Sequence, residues 1–274
     1  MGTPMSKAVA ARASSASNRR VELSASYPLH LTARSSLTLA GGFYAVANID
    51  HYRVPVSGAQ LEEDTRVRAL FAQLAYAEAQ ADRSRNASPM IAQGLSGAGA
   101  QAENRRNVAG LSGPGGRSRT SLASRWKPAS ATAFANQWGS AVAFGAQYSA
   151  HSLAASERIS FGGPRFARGY SAGDAAGDSG WGLGLELNRM FKIDGDWVRQ
   201  VEPYFLLEAA RVSTRLHTPF PEKLRSIALG ARFSDARHYS VDIALAKPTG
   251  DATASNPGRR ARVTLMLTYE LLAR

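Results

Sequence analysis

Hydrophobic residues recur at every second position along most of the chain. This period of two is typical of β-strands with one apolar and one polar face. The segment from Trp181 to Asn188 shows it most clearly, with glycine or polar residues at the even positions. The apolar positions of the clearest segments are Trp181, Leu183, Leu185 and Leu187; Tyr239, Val241, Ile243 and Leu245; Val263, Leu265, Leu267, Tyr269 and Leu271; and Val142, Phe144, Ala146 and Tyr148.

The pattern predicts eleven β-strands. We place them at residues 19–28, 34–46, 65–80, 86–96, 117–127, 137–150, 180–192, 200–214, 222–235, 236–248 and 260–272. The segment 65–80 has helix as an alternative, because its end is rich in Ala, Glu and Gln.

The predicted connections alternate in length. Long ones, at 47–64, 97–116, 151–179 and 249–259, alternate with short ones near 29–33, 81–85 and 235–238. An antiparallel meander with long loops at one end and short turns at the other is typical of outer-membrane barrels, whose strands of about ten residues exceed the usual 5–6 of soluble sheets.

Composition narrows the fold class. The chain has 274 residues, no cysteine and a formal charge of +12, and no apolar stretch reaches the roughly 18 residues of a spanning helix. The mean hydropathy of −0.24 still fits a barrel, since half of every strand and all loops face water. A soluble β-sandwich is the alternative, but a face of Gly, Ser, Thr, Glu and Arg suits a watery lumen. The sequence predicts an all-β, transmembrane antiparallel β-barrel.

Residues 157–181 carry a family resemblance. They read ERISFGGPRFARGY, followed after six residues by GDSGW, where Ser179 replaces the usual Arg and Ala167 the usual Val. The segment resembles the two-partner secretion transporters, the haemolysin secretion/activation proteins of Gram-negative outer membranes. The resemblance implies that the motif lies on a loop folded back into the lumen. The motif residues are Gly162, Gly163, Arg168, Gly169, Tyr170, Gly177, Asp178 and Gly180.

A second motif follows the loop. The family carries an aromatic-x-Asp-x-Gly motif on the second strand after the loop, and this chain has Leu206, Glu208 and Ala210 at those positions. The resemblance implies that Glu208 faces the lumen and forms a salt bridge with Arg168, in the fork geometry that guanidinium and carboxylate groups adopt.

The resemblance also implies a function. We expect a pore of the Gram-negative outer membrane, not an enzyme, that moves a large partner exoprotein of the haemolysin or adhesin type to the cell surface without a cofactor. We expect a monomeric barrel in contact with outer-membrane lipid and lipopolysaccharide and without nucleic acid.

The family pattern also indicates which part of a transporter this sequence resembles. Its barrel has about sixteen strands, five of which follow the motif loop, and is preceded by periplasmic transport-associated domains. Residues 1–274 are therefore expected to be the C-terminal part of the barrel domain, without those periplasmic domains. With about eleven strands, the sheet should be open or incompletely closed, with edges at 19–28 and 260–272, and the chain alone should not secrete a partner.

Three further sets of residues are candidates for binding. Arg119, Arg125 and Lys127 share one parity and are expected to line the lumen, where a basic wall favours acidic segments of a passing chain. The glycine-rich stretch 110–118 lacks the Lys-Ser/Thr ending of a phosphate loop and is predicted to be a flexible surface loop. The five histidines lack metal-ligand spacing, so no metal site is predicted.

Two alternative functions remain. An assembly barrel of the same superfamily, which inserts other outer-membrane proteins, would have a different number of periplasmic domains. A soluble basic β-protein that binds nucleic acid would cluster Lys and Arg with exposed aromatics on one face, whereas here most basic residues lie in loops and turns.

Overall fold

The computed structural model describes residues 12–53, 60–96, 99–106, 122–126, 129–133, 137–215 and 223–271. The strands before the motif loop are β1 (Arg12–Leu31), β2 (Ser35–Arg53), β3 (Gln60–Ala79), β4 (Arg83–Ala87), β5 (Met90–Gly94), β6 (Gln101–Arg106), β7 (Leu122–Trp126), β8 (Ala129–Ala133) and β9 (Trp138–Ser149). The others are β10 (Ile159–Phe161), β11 (Ala175–Gly177), β12 (Ser179–Arg189), β13 (Phe191–Lys192), β14 (Gln200–Ser213), β15 (Lys223–Ser234), β16 (Tyr239–Pro248) and β17 (Arg262–Tyr269).

One antiparallel sheet organises the described residues. Its order is β1-β2-β3-β4-β8-β9-β12-β14-β15-β16-β17, so eleven strand positions follow one another as a meander. The predicted number of strands is therefore confirmed. Within the described residues, β1 and β17 are the two edges and do not pair with each other, which agrees with the prediction of an open sheet. No helix in this part of the chain has the length and apolar character to cross a membrane.

Several predicted boundaries were wrong. The segment 65–80 is a strand and not a helix, and it begins earlier, at Gln60. It pairs with β2 out to Arg53↔Gln60, although 47–64 was predicted to be a loop. The extra pairs include polar residues such as His51 and Glu62, whose side chains approach to 3.6 Å. Backbone pairing continues where the apolar alternation stops, so hydropathy alone misses it.

The fourth and fifth strand positions are interrupted. The predicted strand 86–96 consists of β4 and β5, separated by Ser88 and Pro89, and β6 continues the same position alongside β3. Proline lacks an N–H donor and interrupts a ladder. The predicted strand 117–127 is described only at 122–126, and β8 occupies part of what was predicted to be a connection.

The two faces of the sheet differ in chemistry. Cross-strand partners Leu187, Phe205, Leu229, Leu245 and Val263 form one row across five strands and are 47%, 39%, 62%, 52% and 70% exposed. We call this side the outer face. The opposite, inner face carries Glu186, Asn188 and Glu208 and is covered in part by the loop at 150–178. This parity agrees with the prediction for Trp181 to Asn188.

Neighbouring positions on β17 provide a test of the two faces. The chain has no cysteine, so Thr264→Cys and Leu265→Cys each carry a single thiol. Thr264 is half-buried and lies opposite the inner-face residue Ala244, whereas Leu265 is 70% exposed on the outer face. In lipid vesicles, a membrane-impermeant maleimide should label the thiol at 264 on the order of ten times faster than the thiol at 265. Equal labelling rates would contradict the assignment of the faces.

Candidate functional site

The long loop between β9 and β12 folds back onto the inner face. It contains a 3-10 turn at Ala155–Glu157 and the short hairpin of β10 and β11. Phe161, Phe166, Tyr170, Val212 and Leu224 form a buried cluster between the loop and the sheet. The rings of Phe161 and Phe166 pack edge to face at 5.7 Å. Burial of this apolar surface holds the loop against the strands.

The Gly-Gly pair shapes the turn of the hairpin. Gly162 and Gly163 adopt φ values of 106° and 81°, which residues with a Cβ rarely reach. Their N–H groups donate to the carbonyls of Phe166 and Tyr170 at 3.0 and 2.9 Å. These two bonds fold the Arg-Gly-Tyr segment back over the turn. Ala167, at φ 61°, lies in the left-handed region next to Arg168.

Tyr170 is the largest fully buried residue of the motif. Its side chain is 0% exposed, and its hydroxyl accepts a 3.0 Å bond from the N–H of Gly250. Desolvation raises the pKa of the Tyr170 phenol, so it stays neutral. Tyr170 thereby joins the motif loop to the loop at 249–261.

Gly169 permits a close approach of the loop to a strand. A Cβ at this position would lie 2.7 Å from the backbone nitrogen of Pro248 at the end of β16. The same applies at the base of the loop, where a Cβ would lie 2.7 Å from Ser213 O at Gly177 and 2.6 Å from Arg211 O at Gly180. These three motif glycines are explained by contact with neighbouring backbone.

The close contact at Gly169 leads to a prediction. Gly169→Ala should push the motif away from β16 and destabilise its docking by about 1–3 kcal/mol, the usual cost of inserting a methyl group into a packed site. Amide hydrogen exchange at 165–172 should accelerate accordingly. Gly184→Ala is the control, because the nearest atom to its Cβ is 3.9 Å away. Unchanged exchange in Gly169→Ala would contradict the close packing.

Glu208 faces the motif, but the predicted salt bridge is wrong. The side chain is 5% exposed, and its Oε2 accepts hydrogen bonds from the backbone N–H of Arg168 at 2.7 Å and from the Ser226 hydroxyl at 2.6 Å. The guanidinium of Arg168 forms its ion pair with Asp242 instead. The reason is reach: Glu208 touches the main chain of Arg168, so the long side chain extends past it. Tyr204 and Leu206 share the inner face with Glu208 and are also buried.

The Arg168 guanidinium contacts two strands. Its Nη1 donates to the Tyr204 hydroxyl on β14 at 2.6 Å and lies 3.5 Å from Asp242 Oδ2 on β16. The Tyr204 hydroxyl in turn donates to Asp242 Oδ1 at 2.6 Å. A tyrosine hydroxyl can accept and donate at once, so it links the cation to the acid. Sequence reasoning did not single out Tyr204 or Asp242.

A second arginine completes this part of the inner face. Arg232 on β15 makes a bidentate contact with Glu186, at 2.8 and 2.7 Å, and a 2.7 Å contact with Glu202. Its Nε lies 3.8 Å from Asp242 Oδ2, and its guanidinium carbon lies 4.3 Å from the centre of the Tyr204 ring. The alternation had placed Glu186 inside, but nothing local to the sequence indicates that its partner is Arg232.

Asp178 fastens the base of the loop. It is 1% exposed and accepts bonds from the N–H groups of Leu153 at 2.8 Å and Arg215 at 2.9 Å. Arg158 Nε lies 3.4 Å from its Oδ1. Gln147 on β9 donates to the Asp178 carbonyl at 3.2 Å. The motif aspartate therefore joins both ends of the loop to Arg215, the second residue after β14.

Asp174 fastens the tip of the loop. Its carboxylate accepts from the N–H of Ser171 at 2.8 Å and from the hydroxyls of Thr253 at 3.0 Å and Ser255 at 2.8 Å. Arg262 donates to the Ser171 hydroxyl at 2.8 Å. The loop at 249–261 thus packs on the motif loop, a contact that the sequence did not predict.

The predicted basic wall is largely outside the described residues. Arg119 and Lys127 are not among them. Arg125 lies in β7, where its backbone pairs with Met90 on one side and with Gln147 on the other. The role of these three residues stays a prediction.

The chain is similar in sequence to a known protein family. The family model of the haemolysin secretion/activation protein ShlB/FhaC/HecB matches residues 3–233. No curated protein matches the chain in sequence.

The fold is shared with solved structures of CdiB. CdiB from Escherichia coli superimposes with a TM-score of 0.69 at 17% identity, covering 92% of this chain and 45% of that one. CdiB from Acinetobacter baumannii gives 0.61 at 14% identity, covering 92% and 42%. BamA from Haemophilus ducreyi lacking POTRA domains 1–3 gives only 0.39 at 10% identity, covering 94% and 71%. The chain thus spans less than half the length of either CdiB structure.

Proposed function

We propose, since the chain belongs to the haemolysin secretion/activation protein family, that it supplies wall and plug to a pore that passes a large partner exoprotein from the periplasm to the cell surface. The family is one of Gram-negative outer-membrane β-barrels. The observation that carries the proposal is the loop at 150–178, which packs on the polar inner face of a sheet with an apolar outer face.

Such a pore needs a plug that is ordered at rest and displaceable in use. Polar contacts of Arg168 with Glu208, Tyr204 and Asp242 hold the tip. Each charge-assisted bond is worth about 1.5–3 kcal/mol, so a few such bonds keep the loop in place yet allow it to move. The inner face offers the passing polypeptide polar groups, and the lipid-facing strands remain paired.

The outer face of the sheet supports contact with membrane lipid. The exposed row from Leu187 to Val263 suits the hydrocarbon of outer-membrane lipid. Contact with lipopolysaccharide at the long-loop end and a monomeric barrel are further parts of the proposal.

Deletion of the gene in its host tests the function. Quantitative proteomics of the medium and the cell surface should show the loss of one large exoprotein, while other outer-membrane proteins keep their levels. Complementation with the wild-type gene should restore export. A general fall in outer-membrane proteins would instead favour the assembly function, and no change in any surface protein would overturn the proposal.

A further inference from the structure

The wall of the sheet presents a fixed acidic group to the motif loop. We call Tyr204, Asp242, Arg232, Glu186 and Glu202 the acidic seat. All five lie on strands β12 to β16, and their contacts with one another do not involve the loop. Three carboxylates and one guanidinium give the seat a formal charge of −2, which Arg168 reduces to −1. The seat therefore attracts one more cation when the loop is away.

The geometry of the seat matches a guanidinium. The guanidinium carbon of Arg168 lies 5.4 Å from the centre of the Tyr204 ring, and its Nη1 is 2.6 Å from the hydroxyl of the same residue. Asp242 Oδ2 lies 3.5 Å from Nη1. A ring face, a hydroxyl acceptor and a carboxylate suit a planar cation with several donors better than the compact, strongly hydrated ammonium of lysine.

The groups of the acidic seat are held in position by contacts with one another. Arg232 lies against the Tyr204 ring at 4.3 Å, and the Tyr204 hydroxyl is directed by its 2.6 Å bond to Asp242 Oδ1. The Tyr204 side chain is also buried. The binding groups therefore lose little further freedom when a cation binds.

We infer that the acidic seat is a guanidinium-binding site, which Arg168 occupies as an internal ligand while the loop is in place. When the loop moves, the seat binds arginine side chains of the passing polypeptide, a step that rests on the proposed function. Arg168 and the substrate arginine exclude each other. Substrate arginine therefore favours the displaced loop to the extent that it binds the vacated seat.

The test measures binding directly and requires no secretion. The probe is N-acetyl-L-arginine amide, with N-acetyl-L-lysine amide and the neutral N-acetyl-L-citrulline amide as comparisons. Each is added to the folded chain in detergent, and binding is measured by saturation-transfer NMR. The Arg168→Ala chain should bind the arginine probe about tenfold more tightly than wild type and should prefer it over both comparisons.

Two double variants locate the site. Arg168→Ala with Asp242→Asn should lose about tenfold in affinity for the arginine probe. Arg168→Ala with Asp235→Asn is the matched control, because Asp235 lies in the turn after β15 and its hydrogen bonds go to Arg237, His238 and Tyr239, outside the acidic seat. It should bind like Arg168→Ala alone. Absence of arginine binding in Arg168→Ala, or equal binding of lysine and arginine probes, would overturn the inference.

Wild-type chain provides a second measurement if Arg168→Ala does not fold. The arginine probe should accelerate amide hydrogen exchange at 164–172, while exchange within β12 and β14 stays constant. The lysine and citrulline probes should leave the loop unchanged. Identical exchange with all three probes would count against the site, whatever the deletion experiment shows about export.

Discussion

Asp178→Ala is expected to detach the base of the motif loop and to be the most damaging single change within it. The carboxylate is 1% exposed and accepts from two backbone N–H groups, with Arg158 beside it at 3.4 Å. Alanine leaves both N–H groups without their acceptor and the guanidinium of Arg158, which is only 13% exposed, without its counter-ion. Loss of one partner of a buried charge pair costs about 3–5 kcal/mol.

Urea unfolding in detergent and amide hydrogen exchange at 150–178 measure the effect of Asp178→Ala. The free energy of unfolding should fall by that amount, and exchange should accelerate throughout the loop. Asp178→Asn keeps one acceptor oxygen, so its free energy of unfolding should lie between those of the wild type and Asp178→Ala. Asp194→Ala, in an exposed turn, is the matched control and should behave like wild type. A change of less than about 1 kcal/mol in Asp178→Ala would show that the loop base does not depend on this residue.

The sheet could be predicted from sequence because alternation reports which side of a strand faces lipid. The exposed apolar residues on β12, β15 and β16 are all visible as a period of two. The ends of strands are not visible in this way. Beyond the lipid, as at His51 and Glu62, both faces of the sheet are in contact with water. Backbone pairing therefore continues there without alternation of apolar and polar residues.

The candidate site could be predicted only in part. Arg168 and Glu208 were placed together by two motifs, and the structure brings them into contact through the backbone N–H of Arg168. The ion-pair partner of the guanidinium, Asp242, lies 74 positions further along the chain, at a distance set by three hairpins. The alternation along β16 predicts that the Asp242 side chain faces inward, but it does not identify the residues that this side chain contacts. Pairing between distant strands depends on register, and register is fixed by the whole sheet.

Arg232→Met is expected to have the second large effect, through the charges that it leaves behind. Arg232 contacts Glu186 and Glu202 at 2.7 Å and lies 3.8 Å from Asp242 Oδ2. Methionine keeps much of the apolar stem but leaves three carboxylates close together without this counter-ion. With the arginine side chain 28% exposed, we expect a loss of about 3 kcal/mol in the free energy of unfolding.

The loss in Arg232→Met should be reversible by removal of the acids. Asn188 already donates to Glu186 at 3.2 Å and to Glu202 at 2.7 Å, so neutral amides at those positions retain hydrogen-bond partners. Adding Glu186→Gln and Glu202→Gln to Arg232→Met should therefore recover most of the stability, whereas the two glutamine changes alone should destabilise the wild type. If the triple variant is no more stable than Arg232→Met, the arginine acts through packing on Tyr204 and not through charge. Recovery of the stability would show that the inner face tolerates a network of neutral amides at these positions. Arg232 would then be needed to balance acids whose remaining negative charge attracts the guanidinium of the loop.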